Sequence, residues 1–314
     1  MGATGDRAAA GRAAKPYTLR SLRADAVWTA LPARDQHLLL WLLAGDVVTA
    51  QLASLLVYGA LRVAQRRLAR LVEYGLLRGF WTASAQRPRG RYAYALTRAA
   101  RSDLERLQWP EGPPDRPTAL PASPPIHQLA THDLLAAFLR AGRPEAGEGL
   151  VAWVPERPCG ELLGVLRPDA LAGVRVGERT LALLLERDLG TERGEVLADK
   201  VRRYRSAFSR APADGLAVGF VVESARRAQT IHALGRRQPG GLTVVTVAAE
   251  RLLADPLGAL WYDGGQPRSS RDLAAAADVG LPILAPGCLL DPDALAAFDD
   301  QGASTLLALA PYLR

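Results

Sequence analysis

Cysteine and lysine are almost missing from this chain. Cys159 and Cys288 are the only two cysteines among 314 residues, too few for a thiolate zinc site or for the disulfide framework of a small secreted scaffold. A reducing compartment is therefore expected. Of the 39 basic residues only Lys15 and Lys200 are lysines. Arginine supplies positive charge almost everywhere, so an isolated ammonium group calls for a reason. No apolar run approaches the roughly 20 residues of a membrane-spanning helix, and the opening Met-Gly-Ala-Thr-Gly-Asp-Arg leads into no signal-peptide core. The expectation is a cytoplasmic protein without a membrane partner. Internal repeats are lacking too. His127 and His132 stand five residues apart and would not share one face of a helix, so both read as structural.

What is present describes a folded protein: 49% hydrophobic and 23% charged residues, in a chain long enough for two domains and an extension. The net charge of +7 is unevenly spread. Residues 1–109 hold 17 Arg and Lys against 7 Asp and Glu, a net of +10, and the remainder holds 22 against 25, a net of −3. A basic front third favours a polyanionic partner, because each neutralised phosphate releases counterions.

Residues 1–16 are small, basic and aperiodic, and are expected to form a disordered tail. Residues 17–108 read as one domain. A helix from Arg34 ends at Gly45; Thr49 caps a second through Gln51 to Tyr58; a third runs from Ala60 to Tyr74 and stops at Gly75. In this third helix Leu61, Ala64, Leu68, Leu71 and Val72 recur at helical spacing and leave Arg62, Gln65 and Arg66 on the other side. Two strands, Leu76 to Trp81 and Arg91 to Leu96, flank Gln-Arg-Pro-Arg-Gly-Arg, and Thr97 caps a helix through Leu107. Three helices and then a hairpin is the order of a winged helix-turn-helix, whose third helix enters the DNA major groove. Arg87, Arg89 and Arg91 alternate along the hairpin, so one face could offer all three to phosphates or a narrow minor groove. A basic hairpin on a protein-docking domain is the competing reading.

Seven prolines between positions 109 and 125 exclude a helix or central strand there and mark a linker, with the two halves expected to move independently. Residues 126–249 follow as a second domain: a helix from Ile126 to Arg140; strands at Leu150 to Pro155, Leu162 to Arg167 and Thr180 to Glu186; a helix from Arg193 to Phe208; a strand from Leu216 to Val222; a helix from Ala225 to Arg237; and a last strand from Leu242 to Val247. That order implies a mixed sheet covered on both faces, with residues 250–314 as a C-terminal extension. The fold class is thus α+β/α/β.

Carboxylates stand at the ends of the apolar runs in this domain. Glu186 and Asp188 lie two apart and point to one side of a strand, and Asp169 joins them if its strand is the neighbour. Carboxylates so grouped hold magnesium or manganese. Hydrolysis of a phosphodiester needs such an ion and a positive group to stabilise charge on the phosphate, for which Lys200 on the following helix is the candidate. The bland alternative is that these charges mark where buried strands surface.

Arg167-Pro168-Asp169-Ala170 and Leu185-Glu186-Arg187-Asp188-Leu189-Gly190-Thr191-Glu192, with Lys200 and Tyr204, resemble the PD-(D/E)XK restriction-endonuclease-like fold. In combination with Arg34 to Trp81, Thr131-His132-Asp133-Leu134 and Trp153 with Glu156, the chain is similar to the replication-relaxation family of plasmid and mobile-element proteins. The resemblance implies Asp169, Glu186, Asp188 and Lys200 as catalytic positions, the three acids as metal ligands, double-stranded DNA as partner, and replication or mobilisation proteins as associates. Asp188 stands where the nuclease motif has lysine, so Lys200 would have to replace it. Three functions follow as alternatives: a DNA-binding replication or mobilisation protein, a metal-dependent nuclease or nickase, and a non-catalytic transcriptional or replication regulator.

Overall fold

Helices α1 (Ala24–Ala30), α2 (Ala33–Gly45), α3 (Ala50–Ala53) and α4 (Leu61–Glu73) build the front of the chain in the computed structural model, which describes residues 24–84, 87–108, 125–163, 166–208, 215–236, 242–258 and 260–276. The local signals act as expected. Thr49 Oγ1 accepts the Leu52 amide at 3.2 Å and starts α3, which continues as a π-helical turn over Ser54–Tyr58. Gly59 and Gly75 take the left-handed backbone that closes the turns on either side of α4. Strands β2 (Leu77–Ser84) and β3 (Arg87–Leu96) then pair antiparallel, with Trp81 opposite Tyr92. The strands run further toward the turn than expected, and a two-residue strand β1 (Val47–Val48) adds to β3. Thr97 Oγ1 accepts from Ala100 and begins α5 (Arg98–Gln108).

Inside this region Asp35, fully buried, accepts from Tyr58 Oη at 2.8 Å and from Arg67 Nε at 3.1 Å. Burial and the carboxylate beside it push the Tyr58 phenol far up, so it stays a donor.

The second part begins with α6 (Pro125–Ala141) and continues through β4 (Gly149–Pro155), α7 (Glu156–Leu163), β5 (Ala170–Val176), β6 (Arg179–Asp188), α8 (Gly194–Ala207), β7 (Leu216–Val222), α9 (Ala225–Arg236), β8 (Thr243–Ala248) and α10 (Ala249–Ala254). β9 (Leu260–Tyr262), β10 (Pro267–Ser269), α11 (Ser270–Leu273) and β11 (Ala275–Ala276) complete it. Seven strands form one continuous path, β10-β9-β8-β7-β6-β5-β4. β4, β5 and β6 are an antiparallel meander, β6, β7 and β8 are parallel, and β11 pairs with the first residues of β6. The expected mixed sheet flanked by helices is therefore present. Leu197, Val201 and Tyr204 of α8 and Ile231 of α9 cover one face; the other meets α6 and α10.

Three expectations are corrected. Among the described residues of Leu162 to Arg167 no strand forms: Cys159, Leu163 and Leu166 instead bury themselves at helical spacing in and just after α7, and the strand that follows is β5. Leu242 to Val247 is not the last strand, since β9, β10 and β11 follow it. Nor do the two parts behave as separate bodies. One apolar core runs from Leu38, Leu42 and Leu68 through Leu135 and Phe138 of α6 to Trp153, Leu181 and Trp261 of the sheet. Trp41 packs on His132 with ring centroids 4.9 Å apart. Asp46, held at φ 60° where only glycine is at ease, accepts from Arg101 Nη2 and Arg157 Nη2, each at 2.6 Å, and from Gln128 Nε2 at 3.2 Å. The expected tail at 1–16, residues 109–124 of the linker, and residues 277–314 lie outside the described residues.

Inside β7, Gly219 leaves a notch that Trp261 fills. A Cβ there would come within 2.8 Å of the Trp261 ring.

Candidate functional site

β5 and β6 run in opposite directions, so the start of one lies beside the end of the other. This brings Asp169 to Glu186, although Asp169 precedes a strand and does not close one. Asp169 N donates to Leu185 O at 2.9 Å, Asp169 Oδ2 accepts from Arg187 N at 2.5 Å, and Oδ1 lies 2.8 Å from His127 Nε2. Glu186, only 2% exposed, accepts from Tyr204 Oη at 2.5 Å and from Lys200 Nζ at 2.9 Å. Lys200 also donates to Glu192 at 2.9 Å. Tyr204 and Lys200 reach the same carboxylate because they are four residues apart on α8.

Asp188 shares the sheet face but not the cluster. It accepts from Gly190 N at 2.7 Å and is ion-paired with Arg227 of α9. Arg187, between them, turns to the opposite face, where its buried guanidinium donates to Val221 O at 3.0 Å and pairs with Glu223.

The electrostatics follow from burial. Desolvation, then the charge on Asp169, pushes the Glu186 carboxyl up to about 8 against the pull of Lys200 and Tyr204. Lys200 loses hydration, yet Glu186, Asp169 and Glu192 outweigh that loss and raise it. Burial lowers His127, but the Asp169 hydrogen bond and the surrounding carboxylates raise it on balance. Burial pushes His132 down to about 4 against the weaker upward pull of Asp133. Spacing to His132 alone gives His127 no role in the sequence; its partner, Asp169, lies 42 residues away.

A metal does not fit this arrangement as the three-acid motif implies. Both oxygens of Asp169 and of Glu186 already accept hydrogen bonds or ion pairs, and Asp188 is held by Arg227. Among the described residues no three His, Cys, Asp or Glu side chains gather to hold an ion. Beside Asp169 a cavity lined by Asp46, Gln128, His132, Glu156 and Arg157 encloses about 10 Å³, room for one water and not for a nucleotide.

In the front region Arg62, Gln65 and Arg66 are exposed on α4, opposite buried Ala64, Leu68 and Leu71. Arg62 and Arg66 make no ion pair among the described residues. Arg91, expected to point outward, is bound by Asp133 of α6 through Nη1 and Nη2. The side chains of Arg87 and Arg89 lie outside the described residues.

The replication-relaxation family model matches residues 41–219, from the middle of α2 into β7 and more than half of the chain. The chain belongs to the replication-relaxation family. Its match takes in α4, the hairpin, and all four of Asp169, Glu186, Asp188 and Lys200. No curated protein and no solved structure matches the chain. Among the described residues no helix is long and apolar enough to cross a membrane.

Proposed function

We propose that this replication-relaxation protein binds duplex DNA through its front region, folded as a winged helix-turn-helix with α4 as the groove-reading helix. In this reading it acts in the cytoplasm, with replication or mobilisation proteins, on a plasmid or other mobile element. The carrying observation is the α4 face: Arg62, Gln65 and Arg66 stand exposed and uncommitted in a segment of net charge +10, while the opposite side of the same helix is core. The sheet domain acts as a structural platform, its acids matched by internal cations. In this reading the protein is a regulator or initiator and not a nuclease.

Fluorescence anisotropy on plasmid-derived duplexes tests this. An Arg62→Ala, Arg66→Ala variant should bind at least roughly thirtyfold more weakly, at about 1–3 kcal/mol for each of two base-edge contacts, and lose about 0.9 of salt slope for each phosphate contact removed. Unchanged affinity and slope would reject the assignment.

A second reading keeps chemistry at the sheet, because Asp169, Glu186 and Lys200 do converge. A nuclease using magnesium or manganese would nick supercoiled plasmid, and Lys200→Ala would abolish the nick. Absence of nicking in manganese, with duplex binding intact, leaves the platform reading standing.

A further inference from the structure

We propose that the outer face of the β2–β3 hairpin is a stacking platform for the bases of single-stranded DNA, an inference that rests on the front region being the DNA-binding part. Side chains alternate along the paired strands. Phe80, Ala93 and Ala95 turn inward and form an apolar cluster with Val47 and Leu129 of α6. Gly79, Trp81, Tyr92 and Tyr94 lie on the opposite face, with Trp81 directly across from Tyr92 and Gly79 across from Tyr94. Tyr94 packs on the helical core. Two residues nearer the turn, Trp81 and Tyr92 emerge from that cover, 63% and 50% exposed.

The two glycines show how the rings lie. A Cβ on Gly90 would fall 2.3 Å from Trp81 Nε1 and 2.7 Å from Cε2, and one on Gly79 would fall 2.3 Å from Tyr92 Oη and 2.7 Å from Cζ. Each ring therefore lies over the backbone of a glycine, where a side chain would displace it, while the residue stays at least half exposed. An exposed aromatic ring supported from below suits stacking against another flat ring. Tyr94 braces Tyr92 edge-on, with centroids 5.2 Å apart.

Charge selects the occupant. Residues 77–96 contain no Asp or Glu and lie in the front segment of net charge +10. Arg91 is matched by Asp133 and Arg78 stands over Phe80 on the inner face, so it is the segment's net charge and the lack of any acid on the hairpin that match a ligand bringing both π-faces and negative charge. In a duplex the base faces are covered by their neighbours, and only unpaired strands expose them.

The test uses the full chain with two probes: an oligo(dT) of about 15 nucleotides, within the span of known single-strand sites, and a duplex of equal length. Trp81→Ala and Tyr92→Ala should each weaken oligo(dT) binding by on the order of tenfold, with duplex affinity changed less than about twofold. Trp81→Phe should keep most of the oligo(dT) affinity and lose most of the fluorescence quenching seen in the unmodified chain, which confirms stacking at that ring even if the alanine variants melt early. Unchanged oligo(dT) affinity in the alanine variants overturns the platform, and so does an equal loss on both probes or an unmodified chain that binds duplex but not oligo(dT). A dimer that dissociates on Trp81→Ala with oligo(dT) affinity intact assigns the face to a second copy of the chain and also overturns it. Loss of the groove-reading role shows separately, as duplex affinity indifferent to Arg62 and Arg66.

Discussion

α4 and α8 are both amphipathic helices rich in arginine, and they treat charge in opposite ways. On α4 the exposed Arg62 and Arg66 meet no acid among the described residues, and only Arg67 is drawn inward, to Asp35. On α8, Lys200 is bound by two carboxylates at the end of the sheet, while Arg202 and Arg203 pair with Asp199 on the exposed side of the helix itself. Charge left over on a folded surface attracts a ligand of opposite sign, whereas charge already matched at low exposure fixes the position of neighbouring strands. The same residue types thus indicate an interface in the front region and an internal brace in the sheet.

Substitutions at the two ends should separate these roles. Lys200→Ala is expected to have the largest effect on stability, about 2–3 kcal/mol, because it removes the ammonium bound to buried Glu186 and leaves only His127 beside the two acids. The loss stays at the low end because Lys200 is 28% exposed. Urea denaturation measures it, and duplex affinity should not change. Next comes Asp46→Ala, which leaves Arg101, Arg157 and Gln128 without their shared acceptor. A loss of about 2 kcal/mol, with faster proteolysis between the two parts, would show that the joint is structural; wild-type stability would show that the shared apolar core suffices.

The pH dependence is smaller and has a definite sign. Glu186 and His127 both hold protons more tightly in the folded state than in the unfolded one, so the stability they contribute at lower pH is lost as pH rises. His132 acts oppositely, but only as pH falls from its ordinary 6.5 toward about 4. Between about pH 6.5 and 8 the melting temperature should therefore decline, and Glu186→Gln should flatten the decline. A slope unchanged in that variant would place the titration elsewhere. The smallest effect on stability belongs to Arg62→Ala, within about 0.5 kcal/mol, despite its large expected effect on DNA binding. Destabilisation there would break the contrast between the helices.

Sequence legibility divides along physical lines. Caps and stops around α2, α3 and α4 are local, carried by Thr49, Gly59 and Gly75, and could be read directly. β6 was legible because its buried apolar residues run without interruption from Leu181 to Leu185. β5 was not: Ala170-Leu-Ala-Gly-Val mixes small residues and glycine, poor strand formers alone, and becomes a strand because β4 and β6 pair with it on both sides. The approach of Asp169 to Glu186 was anticipated, and the antiparallel register delivers it. Separation of Asp188 from that pair was not legible, since Arg227 arrives from α9, 39 residues later. Arg91 misled for the same reason: its alternation with Arg87 and Arg89 carries no sign of Asp133 on α6, 42 residues away.

The family match closes at position 219, inside β7, where the notch of Gly219 receives the Trp261 indole. A fragment cut to the matched stretch would remove β8, the parallel neighbour of β7, and the ring that covers the notch. It would present a bare apolar edge with free amides and carbonyls, the kind of edge along which chains add to one another. Residues 220–276 are then not an optional appendage. Dissection of this protein should retain them, and soluble expression of a fragment ending at 219 compared with one ending at 276 would measure how much the indole and its strands protect.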